Sequence, residues 1–271
     1  MKAFFDLRAG SILLLGACLA ACVPLPPEEG AGAAGSTGIT RRRFGELDPG
    51  AKRLSGLHFE VHAYGSDRAQ KISDAAEKFY GRTMNDTGLY SFLPRGLYPV
   101  VVYATRDEFL MKTGLPEWSG GVAVGNTIYT YDGPYLSGVL AHEMTHLIFH
   151  EYMGRSDPAH RWVNEGLAVY EEQEAMRERG FASAARPGSP VSFQEMILLA
   201  PMGEGERSVN AWYQQVGSVV RFMIERGGRL GFSQFIKGLH EGRTADQAVR
   251  TAFPGVWNSF EALETSWRDG R

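Results

Sequence analysis

The hydrophobic rhythm of the chain changes near residue 134. Before it, apolar positions come in short alternating or β-branched runs. Leu57–Tyr64 (LHFEVHAY) alternates apolar and polar residues and predicts a half-buried strand. Tyr98–Ala104 (YPVVVYA) predicts a second strand, and Asn126–Tyr131 (NTIYTY) a third, ahead of Asp132-Gly133-Pro134. Between the first two, Ala69, Ile72, Ala76 and Phe79 fall near helical spacing within Asp67–Tyr80, with Gly81 as the expected end. Thr105, followed three residues later by Glu108, predicts a capped short helix through Met111.

After Pro134 the period is helical. Leu136–Tyr152 predicts one helix with Gly154 as its C-cap. Asp157-Pro158 opens the next, with Asp as N-cap and Pro in the first turn. Further helices are expected over Ser192–Leu199, Ala211–Arg226 (ending at Gly227-Gly228), Phe232–Leu239 and Val256–Trp267, and Thr244-Ala245-Asp246-Gln247 is a capping box opening another. A strand-rich lobe over 41–133 and a helical lobe over 134–271 predict one α+β domain spanning 41–271.

The N-terminus follows different rules. Lys2 and Arg8 precede the small, apolar run Ser11–Ala21. A bilayer core needs roughly 20 apolar residues, so this run is too short to span. Residues 1–21 are expected to be a secretory leader. Leu19-Ala20-Ala21-Cys22 resembles the bacterial lipobox, with Leu15-Gly16-Ala17-Cys18 a weaker second match. The lipobox resemblance implies that Cys22 becomes the lipidated first residue of the mature chain; the plainer alternative is an ordinary signal peptide cut nearby. Residues 22–40, rich in Pro, Gly and Ala, are the expected flexible tether, with an r.m.s. reach on the order of 20–25 Å. Arg41-Arg42-Arg43 then reads as a solvated run able to touch anionic lipid. Val23 is not the Asp that often retains lipoproteins at the inner membrane, which favours an outer-membrane address in a cell envelope that has one.

Composition narrows the field further. With 271 residues, 44% hydrophobic and 22% charged, the chain is neither a disordered tail, a collagen-like rod nor a polytopic membrane protein. Its net charge of −3 offers no electrostatic case for nucleic-acid binding. Cys18 and Cys22 are its two cysteines, so a domain starting after them has no disulfide.

Residues 142–146 read His-Glu-Met-Thr-His. On a helix His142 and His146 share a face, and two imidazoles at that spacing can grip one zinc ion. Glu143 borders the face and can act on a water there, while Leu140, Met144, Leu147 and Ile148 form the opposite, core-facing stripe. A catalytic zinc takes a third protein ligand, and Glu165 in Trp162–Ala168 (WVNEGLA) is the candidate from the next helix.

His-Glu-x-x-His, with 18 residues before a glutamate in Asn-Glu-Gly-Leu-Ala, resembles the gluzincin group of zinc metallopeptidases. The strands near Phe59 and Tyr98–Ala104, the Trp118–Ala123 segment and the helical tail resemble bacterial peptidase MA-like domains over about residues 55–268. The resemblance implies a zincin-like fold with one Zn2+ held by His142, His146 and Glu165, and Glu143 as general base. It implies a peptide or protein substrate, and an oxyanion-stabilising Tyr or His, for which Tyr213 is the candidate and Tyr170 the second. Asn164 and Thr145 flank the ligands and are either supports for them or local capping and packing residues. No acid stands out to hold the far nitrogen of either histidine; Glu171 and Glu172 read as a solvated face. In related peptidases an edge strand lines the cleft, which points to Gly120, Gly121, Val122 and Ala123 as substrate-binding, the alternative being a Gly-rich turn. The aminopeptidase branch carries Gly-x-Met-Glu-Asn here; Gly-Gly-Val-Ala-Val in its place favours an endopeptidase. His150, His58, His62 and His160 read as non-ligands. The competing readings are a catalytically silent peptidase-fold scaffold lipoprotein and a zinc amidase acting on cell-wall peptide.

Overall fold

A computed structural model describes residues 44–90, 92–181, 190–199 and 206–270. The leader, Cys22, the tether and Arg41–Arg43 lie outside the described residues.

The first lobe is a five-stranded mixed sheet in the order β1-β2-β3-β5-β4. Its strands are β1 (Ala51–Ser55), β2 (Phe59–Tyr64), β3 (Tyr98–Tyr103), β4 (Gly121–Val124) and β5 (Thr127–Tyr131). β1–β2 and β4–β5 pair antiparallel, and β2–β3 and β3–β5 pair parallel. β1 had no sequence expectation: AKRLS lacks an apolar alternation, and it is an edge strand held by pairing to β2. β3 is central and buried on both faces. Tyr98, Val100 and Val102 join the large core, while Val101 and Tyr103 join a smaller one with Phe44, Phe109, Val122 and Tyr129. That split follows from the two-residue side-chain period of a strand.

Helix α1 (Ser66–Thr87) connects β2 to β3. It runs a full turn and more beyond the expected end at Gly81 and stops at Gly88, which has φ 66. The left-handed conformation that ends the helix is therefore taken at Gly88, where glycine carries no steric penalty. Helix α2 (Arg106–Thr113) is capped as expected, Glu108 N donating to Thr105 Oγ1.

Among the described residues the second lobe holds helices and no strand: α3 (Leu136–Met153), a 3₁₀ turn at Pro158–His160, α4 (Arg161–Glu178), α5 (Phe193–Leu198), α6 (Glu206–His240), α7 (Ala245–Ala252) and α8 (Phe260–Asp269). The expected break at Gly227-Gly228 is present as Gly228, φ 79, inside α6. The α+β reading of the sequence therefore holds. α3 lies over the sheet and packs against α4, which packs in turn against α6. α3 is apolar almost all round because it is sandwiched between sheet and helices. Within that apolar sleeve the polar side chains of His142, Glu143, Thr145 and His146 are all buried.

No helix among the described residues is long and apolar enough to cross a membrane.

Candidate metal centre

Burying polar side chains in an apolar helix costs free energy unless each finds a partner. His142 and His146 stand one turn apart on α3, and Glu165 reaches them from α4. The ligand atoms of the three residues lie within 4.8 Å of one another. Glu165 Oε2 is 3.5 Å from His146 Nε2 and 4.0 Å from His142 Nε2, too long for firm hydrogen bonds. All three atoms are buried and make no hydrogen bond among the described residues. Three unpartnered donor atoms aimed at one point fit a metal ion. Two imidazole nitrogens and one carboxylate oxygen are a donor set that would suit zinc.

The electrostatics also favour a cation. Burial disfavours a charge on His146, yet the carboxylates of Glu165 and Glu143 outweigh it and hold its pKa up at about 9. Burial likewise opposes ionisation of Glu165, and the charges on His146 and His142 override it, so its pKa is lowered. Either a proton or a metal satisfies this demand for positive charge.

The far ring nitrogens are held. His142 Nδ1 donates to Glu172 Oε2 at 2.9 Å, and His146 Nδ1 donates to Asn164 Oδ1 at 3.0 Å. Each bond puts a proton on Nδ1, so Nε2 is the nitrogen each ring turns toward the ligand group. Close helix packing makes the first bond possible: a Cβ on Gly138 would come within 3.2 Å of Glu172 Cγ and 2.9 Å of Met176 Cγ. The expectation that Glu171 and Glu172 form a solvated face is therefore wrong. Both are buried; Glu172 orients His142, and Glu171 accepts from Arg82 Nε of α1 at 2.6 Å. The missed signal was spacing, since Glu172 follows Glu165 by seven residues and returns to the same helix face.

A family model described as Peptidase MA superfamily matches residues 75–270. The chain belongs to the Peptidase MA superfamily. No curated protein matches it. In this Peptidase MA chain the matched span runs from α1 through α8 and contains every member of the ligand group. The family and the buried His-His-Glu group together support a metallopeptidase at family level.

The remaining expected site residues separate. Glu143 is fully buried beside His142, and its charge acts on His146. Of the two alternatives left open for Asn164 and Thr145, Asn164 takes the supporting one, accepting from His146 Nδ1, whereas Thr145 Oγ1 donates to Ala141 O at 2.8 Å and belongs to its own helix. Gly121, Val122 and Ala123 lie on β4, an edge strand of the sheet, and Gly120 precedes it with its carbonyl accepting from Thr130 Oγ1 at 2.9 Å. β4 packs against α3, closely enough that a Cβ on Gly121 would fall 2.4 Å from Val139 Cγ1. Tyr213 of α6 is buried against Trp212. The hydroxyl of Tyr170 donates to Asp86 of α1 at 3.1 Å. His58 and His62 bond to Glu77 and Glu60 respectively, His160 is buried in the turn before α4, and none joins the ligand group.

Proposed function

We propose that this chain is a zinc-dependent endopeptidase tethered to a bacterial membrane through a lipid on Cys22. The convergence of three buried, unpartnered ligand atoms on His142, His146 and Glu165 carries the reading. When bound, zinc supplies Lewis acidity that polarises a scissile carbonyl and acidifies a water. Glu143 takes the water proton on its carboxylate and delivers it to the leaving amine nitrogen. Glu172 and Asn164 hold the two imidazoles through their Nδ1 protons, so neither ring reorients during turnover. β4 is the last strand of the sheet, and its backbone N–H and C=O groups at Gly121–Ala123 are the proposed partners of an extended peptide bound as an added strand. Tyr213 is the proposed donor to the developing oxyanion. The leader, lipobox-like Cys22 and tether would place this chemistry in the cell envelope, with an outer-membrane address preferred.

The test is cleavage of an unstructured protein by the chain lacking residues 1–40, with zinc added, beside Glu143→Ala. The reading expects cleavage by the wild type and a loss of at least ~100-fold in the variant at equal zinc content. Equal cleavage by both would remove Glu143 as base. Zinc binding without protein cleavage, but with release of cell-wall peptide, would favour the amidase alternative.

A further inference from the structure

A cavity of about 170 Å³ lies where α1, the start of α3 and the C-terminal end of α4 meet. Its lining includes the buried apolar side chains of Ile72 and Leu140, and its polar groups come from Arg68, Lys71, Ser137 and Arg179. No lining residue is acidic, and none belongs to the His142, His146 and Glu165 group.

Three cationic side chains on one small cavity repel one another unless anions offset them. Asp132 offsets one: it accepts from Arg68 Nε at 2.7 Å and from Arg68 Nη2, leaving Nη1 without a bond among the described residues. Lys71 makes no hydrogen bond or ion pair among the described residues. Arg179 Nη1 donates to Ser137 Oγ at 3.1 Å, and among the described residues Arg179 has no carboxylate partner. Acids next to these positions are engaged elsewhere. Asp74 Oδ1 accepts from Gln70 Nε2 at 2.8 Å, and Glu178 accepts from Lys78 Nζ at 2.7 Å and Arg82 Nη1 at 3.3 Å. Three cations against one carboxylate leave a surplus of two positive charges. The start of α3, with no acid in its first turn and no capping side chain, adds to the same sign.

The surplus selects the ligand. A carboxylate brings one negative charge, whereas a phosphate monoester brings about 1.5 to 2 at pH 7 with three acceptor oxygens. Guanidinium groups match those oxygens in geometry, and a lysine binds phosphate as a point charge. Sites for drug-sized molecules run to roughly 300–1,000 Å³, so this smaller cavity takes a single group rather than a whole large ligand. We propose that the cavity binds a phosphate monoester, held by Lys71 and Arg179, with Arg68 Nη1 donating a further bond. The Ser137 hydroxyl, which accepts from Arg179, donates its own proton to a phosphate oxygen. A free phosphate and a lipid ending in a phosphate monoester present this same group. The site is separate from the proposed peptidase chemistry and does not depend on it.

Calorimetric titration of the zinc-free full chain, at constant ionic strength in chloride, tests the proposal with inorganic phosphate and glycerol 3-phosphate as probes. Without zinc, the metal centre offers phosphate no competing metal. The expected result is saturable binding of one phosphate per chain, weakened ~10-fold or more by Lys71→Ala or Arg179→Ala and abolished in the double variant. Lys52→Ala removes an exposed charge outside the cavity and should change affinity less than ~2-fold. Absence of saturable binding, or equal losses in Lys52→Ala and the cavity variants, would overturn the site. Acetate binding as tightly as phosphate would overturn the choice of phosphate. Dihexanoyl phosphatidic acid, kept below its micelle concentration, separates the sources. Tighter binding than glycerol 3-phosphate supports a lipid-borne monoester, and equal binding supports a free one.

Discussion

Glu172 Oε2 accepts from His142 Nδ1 at 2.9 Å, across the α3–α4 interface and two turns beyond Glu165 on the same helix. α4 therefore supplies a proposed ligand to the metal and an orienting partner to another ligand. Glu172→Ala should weaken zinc binding by ~10–100-fold, while Glu172→Gln, which retains an acceptor, should fall between it and wild type. Chelator competition measures this; identical affinities in all three proteins would deny Glu172 its orienting part.

Gly121 sits where the edge strand presses on α3, the helix that carries His142 and His146. Its absent Cβ would lie 2.4 Å from Val139 Cγ1, three residues before His142. Gly121→Ala should cost ~1–3 kcal/mol of stability through overpacking, and it should reduce peptide cleavage by moving β4 away from α3. Adding Val139→Ala should recover part of both. Denaturant midpoints and cleavage rates for the single and double variants test the coupling, which additive losses would contradict.

Glu171 makes a pH prediction. It is fully buried, and burial pushes its pKa up to about 7 against the opposing charge of Arg82. Its unfolded value is near 4.5. Between these two values the folded chain binds more protons at this site than the unfolded chain, so its contribution to stability falls as pH rises through the window. Glu171→Gln removes that dependence. Relative to wild type, the variant should gain ~1–3 kcal/mol on going from about pH 4.5 to about pH 8. Urea midpoints at the two pH values check it; a parallel pH response in both proteins would show that Glu171 is ionised throughout.

Metal removal should also register in stability. Zinc-free protein retains two imidazoles and a carboxylate buried with no partner at their facing atoms. A ligand present at 1,000 times its dissociation constant stabilises a fold by ~4 kcal/mol, so zinc should raise the thermal midpoint markedly and a chelator should reverse the shift. In Glu165→Ala the response to zinc should shrink or vanish. A midpoint indifferent to zinc in the wild type would argue against a formed site.

Much of this was legible in the residues. The alternation of Leu57–Tyr64 and the β-branched Tyr98–Ala104 marked two strands, and Thr105, Ser192 and Thr244 marked helix starts, because these signals are local. The motif placed His142 and His146 together because a helix face is fixed by spacing, and the gluzincin resemblance added Glu165 from the next helix. What stayed hidden depended on tertiary contact. Gly81 looked like a helix end, but α1 continues because Thr83 and Met84 are buried against the rest of the fold. Glu171 and Glu172 looked solvated because two adjacent carboxylates normally are. Their partners, Arg82 and His142, lie 89 and 30 residues away, beyond any local pattern. The hydroxyl partner of Tyr170 was hidden for the same reason, since Asp86 comes from α1.

The most direct measurement is X-ray absorption at the zinc edge on protein loaded with limiting zinc, with and without Glu165→Ala. The account predicts one zinc per chain bound by two imidazole nitrogens and light oxygen donors, with the variant losing an oxygen ligand or the metal itself. Binding without imidazole, or a spectrum unchanged by Glu165→Ala, would contradict it.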